Sequence, residues 1–131
     1  MGDFTKLAAW KKAHVLTLGI YRATQRWPRY ELFGLTSQTR RAATSVPANV
    51  AEGCGRNSDA ELARSVRTSL GEAGELSYYL ILAHDLEYLA TRERDTLQHD
   101  VTEVRRMLSS LERVARAAAD EGPRRKATRR S

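Results

Sequence analysis

The residues whose types and spacing could do chemistry fall between positions 38 and 52 of the 131-residue chain. Gln38, Arg41, Ser45, Asn49 and Glu52 follow steps of 3, 4, 4 and 3, which on a helix aligns them along one ridge. Arg41, Asn49 and Glu52 could serve an enzyme if a solvent-open pocket lay beside them. The ridge runs next to an apolar one of Leu35, Ala42, Val46 and Val50, so half burial is expected. A buried polar group without a partner costs about 1–3 kcal/mol, and Ser69, Glu72, Glu75 and Tyr79 further along the chain are candidate partners. The expected outcome is a structural polar network of Gln38, Arg41, Ser45, Asn49, Glu52 and Glu75. It would fix helix register or subunit contacts and would not form a catalytic set.

Other chemistry is hard to build from this sequence. His14, His84 and His99 fall in three different helical segments and form no HxxxH pair, and no glutamate has a histidine three residues later, as a di-iron bundle requires. Cys54 has no CxxC partner and is expected to pack at a helix end. Gly53-Cys54-Gly55 lacks the Lys-Ser/Thr that would follow in a phosphate-cradling loop. No catalytic residue, metal site or cofactor is therefore expected.

Periodicity supplies the elements that must position the ridge. Over residues 6–27 the apolar positions Leu7, Trp10, Ala13, Leu16, Ile20, Ala23 and Trp27 keep the 3-and-4 spacing of one buried stripe, ended by Pro28. Val15 and Leu18 lie off that stripe, beside Lys11, Arg22 and Arg26, which suggests a second neighbour for this helix. A second segment covers residues 32–53, with a kink or break expected at Pro47 because a proline removes one backbone hydrogen bond. Gly53 and Gly55 are its stop signals. A third segment opens on the capping-box pattern Ser58-Asp59-Ala60-Glu61 and carries the seam Leu62, Val66, Ser69, Ala73, Leu76, Leu80, Ala83. Gly71 and Gly74 each cost about 1 kcal/mol in a helix interior, so close packing is expected there. A fourth segment, residues 92–119, repeats the seam with Leu97, Val101, Val104, Leu108, Leu111, Ala115 and Ala118, and Thr91 is its expected N-cap. Four helices with short connections predict an all-α, antiparallel up-and-down four-helix bundle over residues 1–121. Residues 122–131, GPRRKATRRS, show no apolar periodicity and are expected to form a disordered basic tail.

The net charge of +6 is unevenly spread. Residues 1–56 carry nine Lys/Arg against three acids, residues 57–121 eight against thirteen, and the last ten residues five against none. Halves of opposite sign can attract within one bundle or between copies. One cysteine, no apolar signal segment and only short apolar runs point to a cytoplasmic protein that does not span a membrane.

The stretch LTSQTRRAATSVPANVAEG at residues 35–53 closely resembles the signature of a bacterial four-helix-bundle family encoded in intervening sequences of large-subunit ribosomal RNA genes. FTKLAAWKKA at residues 4–13, Trp27-Pro28, Phe33-Gly34-Leu35 and LGEAGEL at residues 70–76 extend the likeness over about residues 3–118. One departure is Glu72, where the family carries a small Ser. The resemblance implies a homopentameric barrel without enzymatic activity. It also implies similarity to the accessory variability proteins of diversity-generating retroelements, which bind a reverse transcriptase and nucleic acid. The expected function is a homo-oligomeric bundle that binds RNA or DNA through Lys11, Lys12, Arg22, Arg26, Arg29 and Arg40 with the tail residues Arg124, Arg125, Lys126, Arg129 and Arg130. The absence of a sequence-reading motif implies backbone contacts. The alternative is a protein-interaction adaptor, for example for a retroelement reverse transcriptase.

Overall fold

A computed structural model describes residues 3–130 of the chain, with side chains as far as residue 122. Four helices follow in order: α1 (Ala8–Thr24), α2 (Leu35–Cys54), α3 (Asp59–Asp85) and α4 (Thr91–Arg130). Short 3-10 turns occupy Phe4–Lys6 and Arg29–Glu31. Each helix packs on two others in the cyclic order α1, α2, α3, α4 and back to α1. Connections this short between long helices fix neighbours as antiparallel, the up-and-down arrangement that periodicity predicts.

The seams explain the packing. All seven α3 seam positions are buried, Ser69 included, and so are Leu97, Val101, Val104, Leu108 and Ala115 of α4. Ala13, Leu16, Ile20 and Ala23 of α1 and Ala42, Ala43, Val46 and Val50 of α2 complete one continuous core. Burying a side chain of this size contributes about 1.5–3 kcal/mol, so the seams dominate the stability of the fold.

Helix α2 is continuous through Pro47 and does not divide. The proline leaves the Ala43 carbonyl without its i+4 amide. Thr17 of α1 supplies a replacement: its hydroxyl lies 3.0 Å from Ala43 O and 2.9 Å from Ala13 O of its own helix, one proton shared between two acceptors. From the other side, Ser69 of α3 donates to Val46 O at 2.8 Å. Two buried hydroxyls on two helices thus grip the α2 backbone at carbonyls in the turn just before its proline.

Local signals act largely as anticipated. Ser58 Oγ accepts from Glu61 N at 3.3 Å and caps α3. The start of α2 is capped from outside the helix, by Glu31, whose carboxylate accepts from Leu35 N at 3.1 Å and from the Tyr88 hydroxyl at 2.9 Å. Thr91 is the first residue of α4 and not its N-cap, since Arg94 N already bonds to Ala90 O. The Thr91 hydroxyl instead meets His84 Nε2 at 2.9 Å.

Two expectations about helix shape change. Gly53 lies inside α2 at a close approach to α3, for a Cβ built there would stand 2.7 Å from Ser65 Cβ. Around Gly71 and Gly74, where close packing was expected, a Cβ would meet nothing within 4 Å. Helix α4 also runs past the end suggested by its seam. The backbone continues in helical form through Gly122 and Pro123 to Arg130.

Candidate nucleic-acid interface

The polar ridge of α2 turns outward. Gln38, Arg41 and Glu52 are exposed, and Ser45 and Asn49 half-buried. Asn49 Nδ2 donates to Ser45 O of its own helix, Glu52 pairs with Arg56 at 2.8 Å, and Glu75 accepts from Tyr79 on α3. Gln38 and Arg41 have no partner among the described residues. The expected network across helices therefore does not form within the chain. The reason is geometric: α1 and α3 grip α2 on the sector around Thr39, Ala43, Val46 and Val50, and the ridge lies outside that sector.

A solvent-open cleft of about 550 Å³ does border the ridge, between α1 and α2. Arg41 and Ser45 line it but Asn49 and Glu52 do not, so the three residues an enzyme would have needed are not brought together. Cys54 is buried at the last turn of α2, and burial pushes its thiol above the ordinary cysteine range, the opposite of what a nucleophile requires. No group of three metal-ligating side chains occurs among the described residues. No helix among them is long and apolar enough to cross a membrane.

The predicted cations divide into three groups. The side chains of Lys11, Arg22 and Arg29 are exposed and make no hydrogen bond or ion pair among the described residues. Lys12 lies 4.0 Å from Asp100, and Arg26 is ion-paired with Glu93 of α4. Arg40 is committed internally: its Nε donates to Thr24 Oγ1 at 2.8 Å, and its guanidinium sits 4.8 Å from the Tyr21 ring centre. It serves as an α1–α2 brace and is half-buried. The side chains of Arg124, Arg125, Lys126, Arg129 and Arg130 lie outside the described residues.

Sequence reasoning missed two cations. Arg41, assigned to the polar network, is an exposed cation beside Phe33 and Leu32. Arg92, at the start of α4, faces Arg22 and Arg26 across a second cleft between α1 and α4. Nothing in local sequence signals this, because Arg92 and the α1 arginines are brought together only by the bundle closing on itself. On the acidic half, by contrast, Glu61, Glu93, Asp95, Glu103 and Glu112 all hold an arginine within 4.0 Å. Free cations gather around α1 and α2, at Lys11, Arg22, Arg29 and Arg41, while Asp59, Glu72, Glu75 and Glu87 of the acidic half hold no Lys or Arg among the described residues.

Beside these cations stand unburied apolar side chains. Val15 and Leu18 are exposed as their position off the α1 stripe suggests, and Phe33 is 94% exposed. On the far side, Gly71, Gly74, Tyr78 and Ile81 follow steps of 3, 4 and 3 along α3, with bare backbone at the glycines and the two large residues exposed.

Fold and surface together define a small helical bundle with unpaired cations on its α1 and α2 face. Residues 5–110 match the 23S rRNA-intervening sequence protein family. The chain belongs to that family. Its fold is also that of a crystal structure of a protein of unknown function from the S23 ribosomal protein family of Bacteroides thetaiotaomicron, with a TM-score of 0.74, 24% identity, and coverage of 80% of this chain and 95% of that one. No curated protein matches the sequence.

Proposed function

We propose that the protein is a non-enzymatic, homo-oligomeric bundle that binds RNA or DNA through the backbone, using the basic α1–α2 face and the basic end of α4. The observation that carries this reading is the imbalance of pairing. Lys11, Arg22, Arg29 and Arg41 have no counter-charge among the described residues, and residues 1–56 hold only three acids against nine Lys/Arg, so the excess on this face stays positive even though five of the thirteen acids of residues 57–121 hold an arginine. Membership of a family named for 23S rRNA intervening sequences agrees with an RNA-related role.

Self-assembly is supported by two unlike surfaces left uncovered in one chain. One is the apolar and basic border of α1 and α2 at Leu18, Leu32, Phe33 and Arg41; the other is the α3 stripe of Gly71, Gly74, Tyr78 and Ile81, with Glu75 beside it. Two different, charge-complementary surfaces suit a head-to-tail contact, which forms a ring when the rotation between copies closes. Five copies is the number the sequence resemblance implies. A ring would repeat a modest cationic surface several times and convert weak contacts into avid binding.

Fluorescence anisotropy with a labelled RNA at two salt concentrations tests the binding. Neutralised phosphates should appear as a steep fall in affinity with salt, and removing residues 122–131 should flatten it. Absence of binding at low salt would refute the nucleic-acid reading. Light scattering on the eluting protein tests the ring, which a monomer would refute. The exposed Phe33 patch favours a second reading, an accessory adaptor for a protein such as a retroelement reverse transcriptase, with little direct nucleic-acid contact.

A further inference from the structure

The cleft between α1 and α4 has a composition different from the rest of the basic face. Its floor is small and apolar, formed by Gly19, Ala23 and Leu97, and its volume is about 460 Å³, within the range of small-molecule sites. Gly19 keeps it open: a Cβ there would touch Leu97 Cδ2 at 3.6 Å, an ordinary contact, and anything longer would extend over the floor. Arg22 and Arg26 of α1 and Arg92 of α4 stand at the rim. Glu93 answers Arg26 alone. The Arg22 and Arg92 side chains make no hydrogen bond or ion pair among the described residues, so the rim holds two uncompensated guanidinium groups above an apolar surface.

We infer that this cleft seats one nucleotide of a single-stranded nucleic acid, with the base over Gly19, Ala23 and Leu97 and its phosphate between Arg22 and Arg92. Guanidinium groups pair with phosphate and also stack on base planes, so both functions come from the same rim. A duplex is a poor occupant, because its bases are stacked inward and only its phosphates could reach the rim. An acidic peptide could answer the charge but would leave the apolar floor uncovered. The inference rests on the nucleic-acid reading and sharpens it to single strands.

The test uses the full chain and a labelled ten-nucleotide oligouridylate, compared with a duplex of the same length. Wild type should prefer the single strand. Gly19→Leu, which fills the cleft without changing charge, should weaken single-strand binding about tenfold, the scale of one lost base contact, and leave duplex binding and the salt slope unchanged. Gly19→Ala should behave as wild type, and Arg22→Glu/Arg92→Glu should lose single-strand binding more severely. Circular dichroism and Tm verify that each variant folds. Undiminished oligouridylate binding by folded Gly19→Leu, equal affinity for the duplex, or displacement of the oligonucleotide by polyglutamate would overturn the cleft assignment while the basic-face reading stands. Failure of wild type to bind any nucleic acid at low salt would overturn both.

Discussion

One substitution made at three glycines should change stability in opposite directions. At Gly53 an added Cβ would lie 2.7 Å from Ser65 Cβ, about 1 Å inside the 3.5–4.0 Å at which carbon atoms attract best. Ser65 Cβ is attached directly to the α3 backbone and cannot rotate away, so α2 and α3 must part locally. Overpacking of this kind costs about 1–3 kcal/mol, and the better helix propensity of alanine returns about 1 kcal/mol. Gly53→Ala should therefore destabilise by about 1 kcal/mol. Gly71→Ala and Gly74→Ala meet nothing within 4 Å and should each stabilise the isolated chain by about 0.8–1 kcal/mol. Urea titration gives the answer as a shift of the midpoint at constant slope. Stability of Gly53→Ala equal to or above wild type would refute the close-approach argument. Repeating the titration at high protein concentration adds a second reading: if another copy covers α3, the gain at Gly71 and Gly74 should shrink or reverse as the copies associate.

Three other outcomes are expected. Thr17→Val removes the hydroxyl facing the Ala43 carbonyl and should cost about 1–3 kcal/mol; in a Pro47→Ala background, where the backbone amide returns, a double-mutant cycle should show a smaller cost. The Tyr88 phenol is held well above the ordinary tyrosine range, first by its hydrogen bond to Tyr30, then by desolvation and its bond to Glu31. Its contribution is thus complete below pH 10, where the unfolded phenol begins to ionise, and is lost as pH rises further; Tyr88→Phe should flatten this alkaline loss in a pH series of urea midpoints. Cys54, buried and with a raised thiol pKa, should react with a thiol reagent slowly in the native protein and rapidly after unfolding, as absorbance of the released chromophore reports.

What could be read from the sequence follows the strength of each physical signal. The α3 and α4 seams were legible because a long, regular apolar repeat has one solution on a helix, and every α3 seam residue is buried. The ridge from Gln38 to Glu52 shows where that logic stops. Periodicity gives the direction of a face but not how wide a sector the neighbours cover, and here it ends just short of the ridge. Gly53 resembled a stop signal since glycine marks both helix ends and close contacts, and only the position of Ser65 distinguishes them. Arg40 and Arg92 were misjudged or missed for one reason: the Tyr21 ring and the Arg22 rim that define their roles lie 19 and 70 positions away, a distance no local pattern spans.

The hydroxyl grip on α2 also bears on how this fold can change over time. Thr17 and Ser69 address main-chain carbonyls, so the side chains of α2 are free to vary without disturbing those bonds. Positions 17 and 47 are instead tied together, since the threonine hydroxyl answers a vacancy that only the proline creates. Among homologous chains, loss of the proline should relax the demand for a hydroxyl at position 17. Loss of the hydroxyl with the proline retained should be rare, leaving a two-position record of the helix pairing that core hydrophobicity alone would not preserve.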